Sequence, residues 1–117
     1  MRTLLAILTA CVLFIGCDSV AVDDEGVVLR IQDDALVARN ATGEAIYYTV
    51  FGENIAAVID WAPIISDENR IDPRRAVTIP LDDIAMRGDE EKLLFYWWRP
   101  NRDGTGADRI RSLVISL

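Results

Sequence analysis

Few side chains in this sequence are equipped for chemistry. There is no histidine among the 117 residues, which removes the commonest general base and the commonest metal ligand together. Both cysteines, Cys11 and Cys17, lie in an apolar leader, and no thiol follows them. Serine occurs only at Ser19, Ser66, Ser112 and Ser116, with no imidazole to activate it. The pairs Asp33-Asp34 and Asp82-Asp83 have the composition for sugar cleavage. Adjacent residues on a strand point to opposite faces, however, and adjacent acids in a turn stay solvated. The run from Asn101 to Gly106, NRDGTG, begins like a calcium loop, but Ser112 stands where the bidentate Glu is required. This inventory predicts a protein that is not an enzyme and that uses no metal or other cofactor.

What remains is aromatic. In FYWW, Phe95 to Trp98, a two-residue period sends Tyr96 and Trp98 to one face and Phe95 and Trp97 to the other. One pair must enter the core. The other forms a platform for a sugar ring or an apolar partner, unless Ile64, Ile65 or Met86 folds over it. Arg99 and Arg102 are placed to rim such a platform. Trp61 is expected to plug one end of the fold, or to form a second wall against Trp97 or Trp98. The candidate contact residues are therefore Trp61, Tyr96, Trp97, Trp98 and Arg99. A separate basic spot, RIDPRR from Arg70 to Arg75, suits a carboxylate or phosphate.

The elements that would carry these residues follow from hydrophobic period. VVLRIQ alternates from Val27, and Asp33-Asp34 turns the chain into ALVARN. ATGE is a second turn in which Gly43 is free to take positive φ. AIYYTVFG is β-branched and aromatic, with Ile46, Tyr48 and Val50 on one side. IAAVIDWAPII is ambiguous; its first half suits a helical turn, but Pro63 and the isoleucine pairs favour a short strand. SDENRIDPRR is a polar loop, and AVTIPL is a strand that Pro80 confines to an edge or an end. DDIAMRGDEE is a polar connection with a helical turn expected around Ile84-Ala85-Met86. KLLFYWWR is continuously apolar, as in a strand covered on both sides. A glycine-rich hairpin then leads to RIRSLVISL, where Leu113, Ile115 and Leu117 are in phase.

Composition divides at residue 17. Before it stands one charge, Arg2; from Asp18 onward 19 acids meet 11 of the 12 basic residues, a net charge of −8. Such a body repels phosphate backbones, so nucleic acid is not expected as a partner, and its net charge argues against lying flat on an anionic membrane.

Met1 to Thr3 followed by the apolar Leu4 to Gly16 has the form of a secretory leader. As a helix it would rise about 20 Å, short of a bilayer's hydrocarbon core. Phe14-Ile15-Gly16-Cys17 resembles the lipobox of bacterial lipoproteins. Leu8 to Cys11 also fits the box, but cleavage there would leave too short an apolar core. The resemblance implies a helical signal peptide over 1–16, diacylglycerol on the Cys17 thiol, and a membrane anchor at the periplasmic or extracellular face of a cell envelope. Residues 17–25, the lipidated Cys and an acidic stretch, read as a tether.

Residues 26–117 read as one all-β domain of about seven strands spaced 8–12 residues apart, a β-sandwich. The succession, with an Asn-ending second strand, an aromatic third and a Trp-bearing penultimate one, resembles immunoglobulin-like or fibronectin type III-like modules. The inter-sheet disulfide of antibody domains is absent, so packing alone must join the sheets. The function expected is that of a non-catalytic interaction or scaffolding module with an envelope protein as partner; the alternative is a small carbohydrate-binding module using the same aromatics.

Overall fold

A computed structural model describes residues 19–117. The expected signal helix, its boundary at 16 and the lipidation site Cys17 lie outside the described residues. Alternating apolar residues build eight strands in two four-stranded antiparallel sheets. The first sheet has the order β1-β2-β3-β6, from β1 (Ser19–Val22), β2 (Val27–Gln32), β3 (Ala35–Asn40) and β6 (Ala76–Pro80). The second has the order β5-β4-β7-β8, from β5 (Arg70–Ile71), β4 (Ile46–Gly52), β7 (Lys92–Trp98) and β8 (Arg111–Ser116). The chain is all-β, as its period predicts. Among the described residues helix is confined to α1 (Glu53–Ala56) and two single 3-10 turns, Asp67–Asn69 and Leu81–Asp83.

Strand faces follow the alternation. Val27, Leu29, Leu36 and Ala38 point inward from the first sheet; Ile46, Leu93, Phe95, Trp97 and Ile115 meet them from the second. Tyr48 stacks on Phe95 at 5.3 Å between ring centroids, with nearly parallel planes, within this core. The Asp33-Asp34 connection is a two-residue hairpin loop whose Asp33 takes φ 54°, a conformation that short polar side chains tolerate.

Asn40 closes the core at the end of β3. It is fully buried, and both ends of its amide are occupied. Nδ2 donates to the carbonyls of Glu44 (2.7 Å), Ile71 (3.1 Å) and Asp72 (3.3 Å). Oδ1 accepts from the Thr42 N–H at 3.0 Å and the Thr42 hydroxyl at 2.6 Å. Because Ile71 belongs to β5, one amide joins the two sheets where no disulfide can. It also shapes the turn after β3, in which Gly43 does not use its freedom to take positive φ; among the described glycines only Gly26 and Gly104 do.

Four expectations are corrected. Ser19–Val22, assigned to the tether, pairs with β2 from Ser19↔Ile31 to Val22↔Val28, so the sheet begins two residues after Cys17. IAAVIDWAPII forms no strand: Ile55 and Ala56 complete α1, and the chain from Ile59 to Ser66 is irregular. Arg70–Ile71, expected within a polar loop, forms β5 after a helical turn capped by Ser66. The helical turn expected around Ile84 lies three residues earlier, and Ile84 itself is buried in the core. Pro80 does end β6, an edge strand, as its missing N–H requires.

Candidate functional site

The alternation of β7 separates its aromatics as expected. Phe95 and Trp97 enter the core, while Tyr96 and Trp98 face outward. The outward pair is not open. The segment after α1 runs back along the outer face of the second sheet and lays Trp61 on it. The Trp61 ring lies 4.7 Å from Tyr96, 5.9 Å from Trp98 and 6.2 Å from Phe51, between centroids. Trp98 has 0% of its surface exposed, and its Nε1–H donates to the Ile64 carbonyl at 3.1 Å. Trp61 is thus neither an end plug nor the second wall of an empty cleft. It is a half-buried cover, because an apolar sheet face gains more from contact with an indole than from contact with water.

The covering loop is pinned at both ends. At its start the Glu90 carboxylate accepts from the N–H groups of Asn54 (2.8 Å) and Ile55 (3.1 Å), filling the role of an N-cap that α1 lacks. Burial pushes the Glu90 pKa up, but these N–H donors, that of Arg87 and the Arg87 charge bring it below the ordinary carboxylate value. Glycine is required at position 52 for this approach, since a Cβ there would overlap the Glu90 carboxylate. At the other end Asn69 Nδ2 donates to the Ile64 carbonyl (3.0 Å) and the Tyr48 carbonyl (3.3 Å). Between the pins Val58, Ile59 and Ile64 face solvent, with 68%, 37% and 58% exposure.

Of these, the sequence points only to Ile64, and as a cover over the aromatics, whereas its side chain is turned to solvent; Val58 and Ile59 are not singled out. Their signal is present in it: AAVIDWAPII is apolar where connections are usually polar, and its lack of a two-residue period argues against a strand.

Trp97 and Arg99 belong to a different place. Arg99 continues the inward side of β7, and its guanidinium carbon lies 5.2 Å from the centre of the Trp97 ring; that of Arg111 lies at 4.5 Å. Arg99 is therefore no rim to an outer platform but part of an ionic cap on one end of the sandwich. Arg111 grips Asp108 with two bonds of 3.0 Å and donates through Nε to Glu25 at 2.9 Å. Arg109 reaches the same Glu25 oxygen at 2.7 Å. Arg99 pairs with Glu25 (3.7 Å) and Glu44 (3.4 Å); its Nε lies close to Glu44 but is poorly aligned for a hydrogen bond. The Trp97 Nε1–H donates to Asp23 at 3.1 Å. Around Asp108, burial raises the pKa, but the Arg111 guanidinium and the N–H groups of Arg109 and Arg99 outweigh it and hold the carboxyl at about 2. Every strong charge in this cap has a protein partner, which identifies it as a clamp on the end of the core.

The remaining candidate spots are engaged in part. Asn101 Oδ1 accepts from the Thr105 N–H at 3.2 Å, so the NRDGTG loop uses its first potential ligand to close itself. Among the described residues no group of three acidic, His or Cys side chains converges as a metal site. In the basic spot Arg70 is paired with Asp72 at 2.7 Å, beside a shallow polar depression that Asp67 also lines. No family model, curated protein or solved structure matches this chain.

Proposed function

We propose that this chain is a lipid-anchored cell-envelope protein whose immunoglobulin-like, fibronectin type III-like domain is a non-catalytic interaction module. A partner protein would dock on the covering loop through Val58, Ile59 and Ile64. The observation that carries this reading is that loop: an aliphatic surface turned to solvent on a segment pinned at both ends and seated on a filled aromatic face. A rigid apolar patch of this kind favours association because its conformational entropy is already spent.

The strand order supports the module. Apart from β1, strands β2-β3-β6 form one sheet and β4-β7-β8 form the core of the other, the arrangement of an immunoglobulin-like sandwich with its fourth strand carried on the third. The Phe14 to Cys17 lipobox supports the anchor. The carbohydrate reading needs open, coplanar aromatics, and Trp61 occupies the face where a sugar would stack.

A photo-crosslinking residue at Val58 or Ile64, introduced in the native envelope, is expected to capture a discrete protein that Ile59→Asp abolishes. Capture equal to that from a control position at Val114 refutes the docking surface. For the anchor, Cys17→Ser is expected to release the protein from membranes while Cys11→Ser leaves it bound; a retained Cys17→Ser protein overturns that part.

A further inference from the structure

We propose that the outer face of the first sheet lies against an anionic phospholipid surface. The inference rests on the lipid anchor at Cys17. The reason is one of reach. Ser19 is already paired into the sheet, so Asp18 alone separates the folded body from Cys17, two residue steps or about 7 Å of extended chain. A tether that short cannot lift the domain clear of the headgroups. Some surface beside Ser19 must meet them.

Three surfaces adjoin that corner. One is the end of the sandwich, which carries the Asp33-Asp34 hairpin and Asp82-Asp83, all exposed. The N–H of Leu81 bonds to the Asp34 carbonyl at 2.9 Å, which brings the two acidic pairs to the same end. An anionic membrane repels it. The second is the backbone edge of β1, which is only four residues long. The third is the outer face of the first sheet.

That face is unlike the rest of this acidic protein. Register places Val20, Arg30, Val37 and Thr78 in one row, and Val22, Val28, Arg39 and Ala76 in the next. No acidic residue occurs in either row. Val28, Arg30, Val37, Arg39 and Ala76 line a groove of about 240 Å³. Both arginines are exposed, and among the described residues no ion pair reaches either one. Val20 and Val22 are more than half exposed. Arginine over a valine floor suits the headgroup layer: guanidinium meets phosphate while the aliphatic side chains enter the interface. Repulsion at the acidic end and attraction at this face turn the domain the same way. The net charge of the body argued against such contact; the local distribution reverses it, because screening confines each charge's influence to roughly 8 Å.

The test uses the full lipidated chain, purified and reconstituted in vesicles of phosphatidylethanolamine and phosphatidylglycerol containing a headgroup spin-labelled lipid. Leader cleavage removes Cys11 and lipid blocks Cys17, so Thr78→Cys and Val114→Cys each accept a single fluorophore. Stronger quenching at position 78 than at 114 is expected. Arg30→Gln with Arg39→Gln should shift the docked population by about 25-fold, roughly fivefold for each charge. A chain that does not float with the vesicles overturns the anchor and this inference with it. A chain that floats but shows equal quenching at the two positions, or no response to the arginine changes, overturns the inference alone. Protection of position 78 in native envelopes but not in vesicles overturns it in favour of a protein partner.

Discussion

Replacing Trp61 with alanine isolates the contribution of the covering loop. Fully buried tryptophan removes about 150–250 Å² from water, and most of Trp61 is covered, so at least about 100 Å² of apolar contact is at stake. At about 25 cal/mol per Å² that amounts to about 2.5 kcal/mol. Stacking on Tyr96 and Trp98 adds about 1 kcal/mol, and relaxation of the emptied loop offsets part of the total. The expected loss is about 2–3 kcal/mol. For a domain of this size that lowers Tm by about 10–15 °C. The assay has a second, independent readout. Trp61→Ala leaves two tryptophans: Trp97, sealed in the core, and Trp98, sealed only by this loop. Water reaching Trp98 should shift the emission to longer wavelength and make part of it quenchable by iodide, while Trp97 keeps its blue emission. Trp61→Phe should recover part of both. A Tm within about 2 °C of the parent, with unchanged emission, would refute the reasoning, because it would mean that the indole contributes nothing to holding the loop on the sheet.

Asn40→Ala should cost about 2–3 kcal/mol in urea unfolding, because it strips the Ile71 and Glu44 carbonyls of their donor inside the fold; Asn40→Asp should cost more, since it turns a carboxylate toward those same oxygens, and a loss under about 0.5 kcal/mol would sink the stapling role. Asp108, held at about 2 when folded against an ordinary value of 3.8, should add stability that is complete above about pH 4 and is lost as pH falls toward 2. Allowing for solvent screening of this partly exposed group, the effect is about 1 kcal/mol. Asp108→Asn should flatten that limb of the stability–pH curve, and an unchanged acid limb counts against the clamp.

The ionic cap illustrates what a sequence read in one dimension cannot show. Asp23, Glu25, Arg99, Asp108 and Arg111 sit on separate stretches of chain, and nothing in their spacing says that the β1–β2 turn reaches the β7–β8 hairpin. The arginine next to the aromatic run therefore reads as the rim of a platform, although its parity with Trp97 already places it on the inner side. Ser19–Val22 reads as tether because four small residues beside an acidic run carry too little hydrophobic signal; the strand exists because β2 offers it an open edge.

By itself the sequence determined the all-β class, the two faces of FYWW, the edge position of Pro80 and the change of composition at residue 17. These depend on local properties: a two-residue period, a missing N–H, a run of apolar side chains. Tertiary structure alone decided that Trp61 covers Tyr96 and Trp98, that Asn40 joins the sheets and that two arginines share an acid-free face beside the start of the first strand. Each of these depends on contacts between residues distant in the chain, and their free energy is defined only once the sheets have paired and the loop has crossed them.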